Sequence, residues 1–119
     1  MNLKNIILEK LNPNPSYKIP SFEEIDKRFV PGSKSHFENL IHKHNDHSDR
    51  ENILYHNRHN LNDLQKQAWA HHSKAIKDTS AHFLLHYGHL VDEKDKTDFK
   101  LGYFNTEDPS SMARYWLQD

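Results

Sequence analysis

The stretch that decides the fold is LNDLQKQAWAHHSKAIKDTSAHFLLHYGHLV, residues 61–91. Within it Leu61, Leu64, Ala68, His72, Ile76, Thr79, Phe83, Tyr87 and Leu90 recur every three or four positions. At about 100° per residue they form one stripe, flanked by Trp69, which is the pattern of an amphipathic helix. The spacing predicts either one long helix or two that meet near residues 77–80, with Gly88 loosening the last turn. The Asn- and His-rich residues 56–60 predict a break before it.

Upstream, three Ser-x-x-Glu matches stand in series: Ser21 with Glu24, Ser35 with Glu38, and Ser48 with Glu51. In such a capping box the serine oxygen accepts a bond from the third amide of a helix, and the glutamate reaches back. The three predict three helix starts. The first of these helices buries Phe22, Ile25 and Phe29 and stops at Pro31 and Gly32. The second carries Phe37, Leu40, Ile41 and His44 on one face. A polar turn at residues 45–47 then leads to the third start, followed by Ile53 and Leu54. At the beginning of the chain, Leu3, Ile6, Ile7 and Leu11 suggest a further helix over residues 2–11. The prolines at 13, 15 and 20 turn residues 12–20 into an extended connector.

Downstream of Val91 the pattern changes. Residues 92–98 read as a charged turn or linker. Phe99, Leu101 and Tyr103 then alternate with Lys100 and Gly102 at strand period. Asp108 with Pro109 marks a final helix start, and Met112, Tyr115, Trp116 and Leu117 give that helix an apolar face. The fold class expected is mainly α, a compact bundle of about five to six helices. It combines a series of short capped helices, one long amphipathic helix, and a short extended C-terminal arm or strand. Residues 1–119 form a single helical domain in this reading, with 92–108 as a charged linker and arm within it.

Composition supports helices and bounds function. Val, Ile and Thr total 12 of 119 residues and Gly three, which disfavours sheet. Leu, Ile, Val and Phe total 27, so the core is thin and association with a partner would help it. The net charge of −1 shows no basic stripe, which argues against nucleic-acid binding. With no cysteine, disulfides and thiolate zinc sites are excluded. The sequence shows no signal-peptide hydrophobic region and no apolar run of membrane-spanning length, so the expected location is cytoplasmic, without membrane contact.

The unusual chemistry is histidine. All eleven lie between His36 and His89. On the long helix, Asp78, His82, His86 and His89 follow one another at four, four and three positions, and His71 projects into the same sector. Imidazoles four apart on a helix can share a divalent cation, with a carboxylate one turn earlier as third ligand, so a zinc, nickel or iron site is stereochemically allowed. The structural reading leaves His71, Asp78 and His89 solvated and packs His82 and His86 along the core edge. His72 and His44 lie on apolar stripes and are expected as core residues. The segment from His36 through His42, His44 and His47 to His56 and His59 is denser but lacks chelating regularity, because residues two apart on a helix diverge.

Two nuclease-like patterns are present in part. Residues 59–64, HNLNDL, with His71 and His72 following, resemble the second half of the HNH nuclease motif. That motif sits on a ββα unit with a glycine-containing turn, and here no glycine occurs from 33 to 87. Arg50 followed by His56 is similar to the Arg-x4–6-His signature of helical HEPN ribonucleases, a likeness of two residues. There is no phosphate-binding glycine loop and no nucleophile elbow.

Trp69, Tyr103, Phe104, Tyr115 and Trp116 form the other candidate surface, as aromatic anchors for a protein partner. The preferred expectation is therefore a small non-catalytic helical binding protein of accessory, immunity or inhibitor type, without a cofactor. It would dock on a larger protein or on a second copy of itself. The alternatives are a metal-dependent sensor or enzyme built on the Asp/His stripe, and a module whose binding responds to histidine protonation.

Overall fold

The computed structural model describes residues 19–102 and 108–117. Among them there are five α-helices and no strand. Helix α1 (Phe22–Arg28) is capped by Ser21, whose hydroxyl accepts from Glu24 N at 3.1 Å. Helix α2 runs Lys34–His56, α3 Asp63–Tyr87, α4 Glu93–Lys100 and α5 Pro109–Trp116. Short 3-10 turns, Arg58–Asn60 and Gly88–Leu90, follow α2 and α3. The chain is thus mainly helical, as composition and periodicity predict. No helix among the described residues is long and apolar enough to cross a membrane.

Three local expectations are corrected. Ser33, not Ser35, caps α2, accepting from His36 N at 3.2 Å. Ser48 lies in mid-helix and residues 45–47 are helical. Residues 34–56 contain neither proline nor glycine, so a run of ordinary helix formers carries the helix through the polar middle. A Ser-x-x-Glu match inside a helix is then only a pair of polar side chains one turn apart. The predicted linker over 92–98 and strand over 99–103 are replaced by α4 and the turn at Leu101 and Gly102, with Tyr103 outside the described residues. Phe99 is buried on a helix face, so the alternation of Phe99 and Leu101 was too short to separate period two from a helix end. Gly102 adopts φ +83, and a Cβ there would meet Ile76 Cγ2 at 2.7 Å. Only glycine supplies both the left-handed turn after α4 and this close approach to α3.

The long stripe is one helix up to Tyr87. Its start uses a capping box built on asparagine and glutamine instead of serine and glutamate. Asn62 Oδ1 accepts from Gln65 N at 2.8 Å, and Gln65 Oε1 accepts from Asn62 N at 2.9 Å. Helices α2 and α3 pack antiparallel across the short connection: Phe37 meets Phe83, His47 meets His72, and Glu51 meets Trp69. Helix α5 packs on α2, and α4 on α3.

Two apolar clusters result. The larger joins Ile25, Phe37, Leu40, Ile41, Phe83, Tyr87, Val91, Phe99, Met112 and Ala113. The smaller, at the connection, holds Leu54 and Leu61 with Ile53, Ala68 and Trp69 against them. Along α2 and α3 the stretch between them is polar and still buried, with His44 and His47 on α2 and Thr79 and Ser80 on α3. Thr79 and Ser80 satisfy their hydroxyls on the carbonyls one turn back. Histidine therefore substitutes for core where the thin apolar content runs out.

The predicted helix over residues 2–11 and most of the connector that follows lie outside the described residues.

Candidate metal centre

Asp26 organises the larger histidine group. It sits on α1 one turn after Phe22, on the side that also buries Ile25. Its Oδ1 lies 2.7 Å from His36 Nε2 on α2. Its Oδ2 lies 2.9 Å from His82 Nε2 and 3.7 Å from His86 Nε2, both on α3. One carboxylate thus gathers three imidazoles and links three helices. Phe22 stacks on the His82 ring at 4.4 Å between centroids, which fixes that ring on the α1 side. The His36 ring meets His86 edge-on at 4.8 Å.

The group is partly withdrawn from water. His36 is fully buried, while the side chains of Asp26, His82 and His86 are 30%, 18% and 21% exposed. Burial alone would raise the Asp26 pKa. The hydrogen bond from His36 and the charges and bond of His82 and His86 outweigh it and hold the carboxyl below its ordinary 3.8. Asp26 is therefore an anion at neutral pH and accepts N–H bonds from His36 and His82. On the far side of His36, Nδ1 lies 2.8 Å from Tyr87 Oη. That hydroxyl also accepts from Gly32 N at 3.1 Å and stands 3.5 Å from Ser33 O. With Nε2–H directed at the carboxylate, Nδ1 of a neutral His36 accepts the tyrosine proton. Burial raises the Tyr87 pKa, which keeps the phenol protonated for that role.

One atom is left over. His86 Nε2 is buried and has no hydrogen-bond partner, although it faces Asp26 Oδ2. An unpaired buried ring nitrogen costs free energy on the order of 1–3 kcal/mol. Asp26, His36 and His86 each bring one ligand atom to within 4.8 Å of the others.

Of the residues singled out in the sequence, the structure brings His82 and His86 together. Asp78 instead pairs with Lys74 at 2.6 Å on the solvent side of α3, and His89 is exposed in the turn after α3. His71 stands beside His47 and His72, about three turns away along the same helix. Asp26 and His36 were missed. His36 shares its helix face with Leu40, His44, His47 and Leu54, a stripe that becomes visible only when α2 is read unbroken. Asp26 lies between the apolar residues Ile25 and Phe29, and a carboxylate on that face needs a partner inside the fold.

The aromatic candidates separate too. Trp116 packs against Phe37, Phe83 and Phe99 at 5.7–6.1 Å. Trp69 is half-buried and donates its indole N–H to Glu51 at 3.0 Å. Tyr115 is 74% exposed. Tyr103 and Phe104 lie outside the described residues.

Comparison with protein-family models, with curated proteins and with solved structures finds no match.

Proposed function

We propose that the protein is a metal-responsive helical protein in which Asp26, His36 and His86 hold one divalent transition metal. The observation that carries this reading is the buried Nε2 of His86, which lacks a hydrogen bond and faces, at 3.7 Å, a carboxylate that already gathers two other imidazoles. Zinc bonds of about 2.0–2.1 Å place tetrahedral ligand atoms roughly 3.3 Å apart. Asp26 places Oδ1 2.7 Å from His36 and Oδ2 3.7 Å from His86, so one imidazole faces each carboxylate oxygen at a spacing near that edge. Two imidazoles and one carboxylate suit zinc or iron.

The surroundings supply what such ligands need. His82 binds the second carboxylate oxygen and orients it, as outer partners of metal ligands do. When His36 gives Nε2 to the metal, its proton moves to Nδ1 and is donated to Tyr87. The tyrosine hydrogen then turns to the Ser33 carbonyl. The three ligands come from α1, α2 and α3, so metal occupancy sets how firmly α1 is fastened to the helical pair. Because His36 is fully buried and His86 presents a buried nitrogen, the centre favours sensing over turnover of a bulky substrate.

The test is elemental analysis of untagged protein. One zinc or iron per chain, lost in His86→Gln with helical circular dichroism unchanged, is the expected result. Metal-free protein whose melting temperature ignores added zinc contradicts it.

The docking of a larger protein, or of a second copy, retains support from Tyr115, exposed beside the buried Met112 and Ala113 on α5. Trp116 cannot test it, because its substitution would open the core. Tyr115→Ala should weaken partner capture without changing stability, and unchanged capture counts against that surface.

A further inference from the structure

We infer that His47, His71 and His72 form a second, all-imidazole metal site selective for copper(II), independent of the Asp26 centre. The three rings each bring one ligand nitrogen to within 4.8 Å of the others. They come from facing turns of α2 and α3, and His71 is exposed, His72 half-buried and His47 buried. The set therefore has a solvent side by which an ion enters and a protein side that fixes its geometry.

The contact between His47 and His72 is unlike an ordinary core histidine contact. Their Nδ1 atoms lie 2.9 Å apart. Two neutral imidazoles in that arrangement are held by a single proton on one Nδ1, donated to the lone pair of the other. A divalent cation can take that proton's place between the two Nδ1 atoms, with the proton moving to Nε2 of the same ring so that both imidazoles stay neutral. The separation of those Nδ1 atoms already matches the roughly 2.8 Å between adjacent nitrogens of a square-planar ion, the geometry copper(II) prefers. His71 closes the third side, with ring centroids 5.8 Å from His47 and 5.2 Å from His72. Metal ligation requires the unprotonated ring. Burial pushes His47 down to about 3 and His72 to about 4, with the charges of Lys43, Arg50 and the neighbouring histidines adding to it.

Selectivity follows from the donor set. Three imidazoles and no carboxylate leave the site uncharged, and Lys43 and Arg50 stand close enough to oppose a cation. Weakly held ions such as Mn(II) gain too little from nitrogen ligands to overcome that field. Copper(II) lies at the top of the affinity order for nitrogen ligands. The carboxylate at Asp26 makes the other centre the better place for zinc or iron.

The experiment titrates metal-free full-length protein with copper(II) at pH 7.5 in excess glycine, a competing chelator that strips isolated surface imidazoles. Bound copper is counted by native mass spectrometry, and its ligands are read from nitrogen hyperfine structure in the electron paramagnetic resonance spectrum. The expected result is a copper ion with several nitrogen ligands in the wild type and in Asp26→Asn, absent from His71→Gln. His71 is exposed, so that variant should keep the wild-type circular dichroism, and His47→Gln serves as a second check. A copper signal of equal affinity and unchanged spectrum in His71→Gln overturns the proposal. If the Asp26 centre alone is wrong, Asp26→Asn leaves zinc binding unchanged while the copper ion of the wild type is still lost in His71→Gln.

Discussion

The two histidine groups of this chain differ by one carboxylate, and that difference sets their chemistry. At one end of the α2–α3 pair, Asp26 receives His36 and His82 and faces His86, and the group rests on the larger apolar cluster. Near the connection, His47, His71 and His72 have no acid among them, and burial with nearby cations drives two of the rings to low pKa. In the first group the anion makes N–H donation favourable. In the second, the rings satisfy one another with a shared proton, and a further charge is unwelcome. The same residue type serves as a donor to an anion in one place and as a neutral polar core in the other.

Acid gives the largest expected effect on this contrast. His44, pushed down to about 4 mainly by burial, belongs with His47 and His72. All three fold as neutral rings and titrate near 6.5 when unfolded. Their contribution is complete above about pH 6.5 and is lost as pH falls towards 4 and 3, because the unfolded chain takes up protons that the folded one refuses. At pH 4.5 each ring costs up to about 2–3 kcal/mol at roughly 1.4 kcal/mol per pH unit. The sum is comparable to the whole stability of a small domain. Urea midpoints should therefore fall steeply between pH 7 and 4.5, and His47→Gln should flatten the slope. The Asp26 carboxyl itself adds to the loss only as pH falls below its ordinary 3.8. A flat profile over this window breaks the account of the all-imidazole group.

Tyr87→Phe comes next. It removes the hydroxyl that serves His36 Nδ1 and Gly32 N while keeping the ring that packs on Phe37 and Phe83. Leaving buried groups unpaired should cost about 1–3 kcal/mol, read as a lower denaturation midpoint. A variant as stable as the parent would show that His36 needs no partner on that side. Smaller still, Ser33→Ala should cost about 1 kcal/mol as a lost helix cap. Ser48→Ala should cost nothing or stabilise slightly, since it lies in mid-helix. Equal losses in the two would restore the helix start at Ser48.

These serines show what was legible in the sequence. Periodicity gave the helical class and the long stripe of α3, though not whether it was one helix or two; the Asn- and His-rich residues 56–60 gave the break after His56, and the Asp108–Pro109 cap gave the start of α5. Local cap motifs misled where a polar segment mimicked a turn, because nothing in residues 45–52 breaks a helix. That false break hid the stripe from His36 to Leu54, and with it the partner of Asp26. His82 and His86 were found because they share one helix. Asp26 and His36 were not, because the site is assembled from three elements, and single-helix spacing carries no record of what α1 delivers. Asp78 satisfied the spacing rule yet meets Lys74 in solvent.

The proposed metal centre of Asp26, His36 and His86 would fasten α1 to the helical pair. Its most direct test is the melting temperature of metal-free protein with and without zinc, in the wild type and in Asp26→Asn. Zinc at about 100 times its dissociation constant contributes about 2.7 kcal/mol, which raises the melting temperature by roughly 10 °C in a domain of this size. That rise is expected in the wild type and not in Asp26→Asn. A wild type that melts at the same temperature with zinc as without, or an equal rise in both proteins, would contradict it.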